Sequence, residues 1–194
     1  MAGTVLVTGG SGYIAGFIIR QLVAEGWTVR TTIRNLAREQ EVRGWLGIAD
    51  SRLSFFAADL MSDDGWADAV AGCRHVAHVA SPLPSNAPTR DDDLIIPARE
   101  GALRALRFAH AAGVKRLVMT SSVAAIAYGH GRGKQRFTED DWTDVTSPDA
   151  YAYVKSKTIA ERAARDWMAA HGVGMEFVTV NPSLVLGPLM TGDF

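Results

Sequence analysis

Residues 3–8, GTVLVT, run directly into Gly9-Gly10-Ser11-Gly12-Tyr13-Ile14-Ala15, and no other stretch restricts the fold so tightly. The short β-branched run reads as a buried strand. Residues 12–25 then set Ile14, Ile18, Leu22 and Val23 on one face of a helix. Between the two, glycines permit a sharp turn and let the backbone approach a pyrophosphate, whose charge the first N–H groups of the helix would meet. The third small position, Ala15, allows helix and strand to pack closely. Glycines also close ordinary strand–helix corners, but a strand before and a helix after are the context a dinucleotide turn requires. Gly9, Gly12, Tyr13 and Ile14 are therefore candidate cofactor contacts.

The alternation continues along the chain. Strands are predicted at 28–33, 53–57, 75–79, 115–120 and 175–180, and helices at 36–47, 64–71, 93–112 and 149–171. The stretches 81–93 and 123–147 read as loops, and Pro97 as a first-turn residue whose missing N–H costs little. Six strands with five intervening helices predict an α/β fold: one Rossmann-type doubly wound parallel sheet over residues 1–194, a three-layer αβα sandwich in strand order 3-2-1-4-5-6. In such a sheet ligands bind beyond the carboxyl ends of the strands.

Composition narrows the function classes. Hydrophobic residues make up 47% and charged residues 21%, ordinary for a globular protein, and the net charge of -1 supplies no pull toward nucleic acid or an anionic membrane. The single cysteine, Cys73, allows no intrachain disulfide and reads as a small half-buried side chain; with no apolar run of spanning length, a cytoplasmic, soluble protein is expected. The five histidines and Cys73 show no metal-ligand spacing, so no metal is expected. His78 and His130 read as merely hydrogen-bonded groups, and the acidic run at 139–141 as a solvated loop anchored by Trp142.

Three further positions carry chemistry. About 20 residues past the glycines, where an NAD site keeps a ribose-reading acid, stands Arg34. Its guanidinium suits a 2′-phosphate, favouring NADP over NAD, although a solvated cap residue is the alternative. After the third strand, Asp59 and Leu60 can meet an adenine ring; an aspartate capping the following short helix is the alternative. Finally, Tyr153 and Lys157 lie one helical turn apart, with Ser122 upstream at a strand end. An ammonium beside a phenol favours the phenolate, and a serine hydroxyl can orient a carbonyl. Tyr151 and Lys155 repeat the same spacing about 200° around the helix, and spacing alone does not choose between the pairs.

The chain resembles the extended short-chain dehydrogenase/reductases, within them the dihydroflavonol-reductase-like group. The resemblance rests on VTGGSGYIA, TTIRN, ADL, HVASP, IPAREGALRAL, TSSVAA, YAYVKSKTIAE and NPSLVLGP. The family pattern Y-x-x-S-K-x-x-A-E aligns with Tyr153 to Glu161, which selects Tyr153/Lys157, and the last serine of TSS selects Ser122 over Ser121. The resemblance implies hydride transfer from NADPH to a small-molecule ketone or aldehyde. Tyr153 would be proton donor, Lys157 the ribose and tyrosine partner, and Ser122 the carbonyl-orienting group. It also implies that Val79, Ala80 and Ser81 line the cofactor, that Pro182 and Val185 border the nicotinamide, and that the protein is a monomer or homodimer. A nucleotide-sugar epimerase or dehydratase, and a non-catalytic NADP-binding protein, are the rival readings. Family members continue past the NPxxVxGP segment into a small substrate domain, so most of that domain is expected to be absent here, leaving an uncovered sheet edge and an exposed apolar cleft.

Overall fold

The computed structural model describes residues 3–49, 51–82, 88–131 and 133–190. Six parallel strands, β1 (Thr4–Val7), β2 (Thr28–Ile33), β3 (Leu53–Ala57), β4 (His75–His78), β5 (Arg116–Thr120) and β6 (Glu176–Val180), form one sheet in the order β3-β2-β1-β4-β5-β6. The helices are α1 (Tyr13–Ala24), α2 (Glu39–Leu46), α3 (Trp66–Val70), α4 (Asp92–Ala111) and α5 (Ala152–His171). Centre residue 83–87 of the loop expected at 81–93 lies outside the described residues, as does residue 132 of the loop expected at 123–147.

Alternation along β1 divides the core. Val5 and Val7 point to one face, where they pack with Ala15, Ile19 and Val23 of α1 and Val42 and Leu46 of α2. Leu6 points to the other, into a cluster with Trp66, Val76, Leu106 and Leu117 under α3, α4 and α5. That is the expected three-layer sandwich. Ala15 is fully buried, so the tight approach that a small third residue allows is used. β6 ends the sheet: Val178 is 44% and Val180 51% exposed, with Leu184, Leu186 and Leu189 more exposed still. No helix among the described residues is long and apolar enough to cross a membrane.

Several local expectations are corrected. The helix expected at 36–47 opens as a 3-10 turn, Leu36–Arg38, because the Asn35 side chain accepts from Ala37 N and holds the tighter turn. A second 3-10 turn, Val123–Ala125, interrupts the loop expected at 123–147. Pro97 is the sixth residue of α4, not a first-turn residue, so it removes the bond that the Asp93 carbonyl would otherwise receive. Cys73 is buried rather than half-buried, its thiol pushed up to about 11 by burial and hydrogen-bonded to Ala69 O. The Trp142 ring is anchored as expected, though by cations: the Arg162 and Arg165 guanidinium groups of α5 lie 4.9 and 5.7 Å from it.

Candidate active site

The glycine turn is shaped by what lies beneath it. Gly9 has φ 75°, and a Cβ there would sit 3.0 Å from Ala80 Cα; a Cβ on Gly10 would sit 2.3 Å from Thr31 Oγ1. Thr31 cannot give way easily, because its hydroxyl donates to Val7 O at 2.7 Å. The loop is tied down by Gly9 N to Thr32 Oγ1 and Gly12 N to Gly9 O. Gly12 caps α1 without a side chain, and no acidic residue occupies the first helical turn, so the positive helix start faces the cleft unneutralised.

This turn floors one end of a cleft of about 670 Å³, a size that suits a cofactor. Every candidate residue lines it: Gly9, Gly12, Tyr13 and Ile14 at the turn; Arg34, Asp59 and Leu60 beyond β2 and β3; Val79, Ala80 and Ser81 beyond β4; and Ser122, Tyr153, Lys157, Pro182 and Val185. They meet because parallel strands joined by helical crossovers deliver all their carboxyl ends to one edge. Arg34 is exposed at the rim, whereas Arg38 is engaged with Glu41 at 2.8 Å and lies over Trp45. Asp59 does not cap α3, whose N-cap is Gly65; its Oδ1 instead accepts from Met61 N at 2.7 Å in a tight turn.

Around α5 the two Tyr/Lys pairs separate. Tyr151 is 58% exposed and Lys155 bonds Asp91 at 2.6 Å, so that pair faces away from the cleft. Lys157 is buried, donates to Ser81 Oγ at 2.9 Å, and lies 5.7 Å from the Tyr153 ring centre. Burial lowers the Lys157 ammonium to about 8. Ser122 caps the 3-10 turn that follows β5, its Oγ accepting from Ala124 N at 3.1 Å, which leaves the hydroxyl proton free to donate.

The sequence reading missed residues that act through these. Thr8 Oγ1 accepts from Val79 N and Ala80 N, both at 3.0 Å, and contacts His78 Nδ1 at 2.9 Å, joining the ends of β1 and β4. His78 is buried and, as expected, hydrogen-bonded; His130 bonds Ile126 O. Trp66 lines the cleft while its Nε1 donates to Asp59 O, seven positions earlier. No cluster of three or more metal-ligating side chains occurs among the described residues.

Comparison with known proteins agrees with the fold. The profile of the NAD dependent epimerase/dehydratase family matches residues 5–193. A dihydroflavonol 4-reductase of Zea mays is 36% identical over 98% of this chain and 55% of its own length. The yeast methylglyoxal/isovaleraldehyde reductase Gre2, solved with NADPH, superposes with a TM-score of 0.85 at 27% identity, over 97% of this chain and 60% of that one. Vestitone reductase from alfalfa gives a TM-score of 0.75 at 33% identity, over 92% and 56%. The chain thus spans little more than half the length of the relatives it matches.

Proposed function

The chain belongs to the NAD dependent epimerase/dehydratase family, on the dihydroflavonol-reductase-like side of the extended short-chain dehydrogenase/reductases, and from that footing we propose that it forms the cofactor-binding and catalytic part of an NADP(H)-dependent reductase of small ketones or aldehydes. One observation carries the reading: a single cleft holds the glycine turn, Arg34 and the Ser122/Tyr153/Lys157 set together. The reductase names of the relatives and the NADPH held by Gre2 support it.

The residues fit a phosphorylated dinucleotide. The uncapped start of α1 suits the pyrophosphate, Arg34 a 2′-phosphate, and Asp59 with Leu60 the adenine. Val79, Ala80, Ser81, Pro182 and Val185 would line its nicotinamide half. NADPH, when bound, supplies the hydride. Ser122 donates a hydrogen bond to the substrate carbonyl oxygen, and Tyr153 delivers a proton to that oxygen as charge builds on it. Lys157, held by Ser81, stabilises the negative charge left on the Tyr153 oxygen and can also bond the cofactor ribose.

Two predictions test this. In calorimetric titrations NADPH should bind more tightly than NADH, and Arg34→Ala should weaken NADPH by roughly 10- to 100-fold, the worth of a charge-assisted hydrogen bond, with NADH unchanged. Equal affinity for both cofactors in the unsubstituted protein would remove the assignment of Arg34. Second, kcat/KM should fall as pH rises through about 8, where the buried Lys157 loses its proton. A flat profile from pH 7 to 9 would show that the Lys157 charge is not required.

A further inference from the structure

Glu161 is a carboxylate only 2% exposed, on the same helix as Tyr153 and Lys157, and the chemistry above makes no use of it. Burying such a charge is costly unless it is fully bonded. Here it is. Oε1 accepts from Arg165 Nε at 3.0 Å, Arg165 Nη2 at 2.8 Å and Thr179 Oγ1 at 3.0 Å, and Oε2 accepts from Asn181 Nδ2 at 2.9 Å. Burial raises its carboxyl, but the Asn181, Arg165 and Thr179 donors outweigh that and hold it below the usual range.

The Asn181 amide has two hydrogens, and Nδ2 also donates to Ser122 O at 3.0 Å. Backbone bonds from Ser121 N to Val180 O and from Val123 N to Pro182 O join the two chain segments on either side. Pro182 has no N–H to donate across the gap, so the Asn181 side chain supplies a link there. A continuous path therefore runs from α5 through Glu161 and Asn181 to the backbone of Ser122.

We propose that Glu161 is a positioning residue: its carboxylate aims the Asn181 amide at the Ser122 carbonyl, which fixes the Ser122 hydroxyl relative to Tyr153 and Lys157, the two residues that share α5 with Glu161. The role rests on the reductase reading for its catalytic consequence, but the tether is a property of this chain's own hydrogen bonds.

The test is Glu161→Gln in the full-length protein, with Asn181→Ala as a second variant that cuts the same path should the first fail to fold. Glutamine keeps the shape but turns an NH2 group toward a donor, so the Asn181 link is lost while packing remains. Expected is a fall of at least tenfold in kcat for both variants, measured at a temperature where each is fully folded, with NADPH affinity close to the parent's. Faster hydrogen exchange at Ala124 N–H, the group bonded to Ser122 Oγ, should accompany it. A kcat loss that merely tracks lost affinity, or that vanishes once the variant is fully folded, would reduce Glu161 to a fold-stabilising group and overturn the proposal. So would unchanged exchange at Ala124. A parent protein that turns over no carbonyl compound would sink the reductase reading alone, since the exchange measurement still decides whether Glu161 and Asn181 hold Ser122.

Discussion

Tyr153→Phe is expected to lower carbonyl reduction by roughly 100-fold or more, the usual contribution of a positioned general acid, and to leave NADPH affinity within about twofold. The substitution removes one oxygen and little else. The ring keeps its packing against Ala124, Ala150 and Val154 and its stacking on Tyr151, so the helix should hold its place. Lys157 retains its bond to Ser81 and its position in the cleft. Ser122 would still bond the substrate oxygen, so residual turnover from orientation alone should survive. Steady-state kinetics with calorimetric NADPH titration separates the two effects. Turnover equal to the parent's would remove Tyr153 as the proton donor, and a parallel loss of NADPH binding would mean the phenol serves the cofactor instead.

Acidification should destabilise the fold through His78. The Thr8 hydroxyl accepts two backbone N–H groups, so its single proton must go to His78 Nδ1, which requires a neutral imidazole. Burial first, and the Lys157 charge second, push His78 down to about 4. Because the folded value lies below the ordinary 6.5, the unfolded chain takes up the proton first as pH falls. Stability is therefore independent of His78 above about pH 6.5 and declines from there to about pH 4, by about 3 kcal/mol in all. That is a large share of the 5–15 kcal/mol, roughly, by which domains are stable. Urea unfolding at pH 7 and pH 4 measures most of it. His78→Asn should flatten the slope between those values, and a slope identical to the parent's would show that some other group carries the acid sensitivity.

Much of the site could be read before any coordinates. The β-branched runs, the glycine turn and the order of the motifs place Gly9, Arg34, Asp59, Ser81 and Ser122 at carboxyl ends of strands or just beyond and Tyr153 and Lys157 on the helix before the last strand, and the structure sets all of them around one cleft. Local signals suffice there because strand and helix periodicities are short-range, and a doubly wound sheet turns sequence order into a common edge. Pro97 shows the limit of local reading: it stands sixth in α4, past the N–H groups that a helix start leaves unpaired, so the proline costs a hydrogen bond.

Sequence by itself determined where the strands and helices fall, the glycine turn and the residue types able to move a proton, since each depends on neighbours within a few positions. Tertiary structure alone decided which partners those residues have. That Lys155 bonds Asp91 across 64 positions while Lys157 bonds Ser81 across 76 separates the two Tyr/Lys pairs by geometry. The Thr8–His78 knot and the Glu161–Asn181–Ser122 path join residues 70, 20 and 59 positions apart. Such bonds depend on the burial that makes an unmatched polar group costly, and burial exists only once the helices have closed on the sheet.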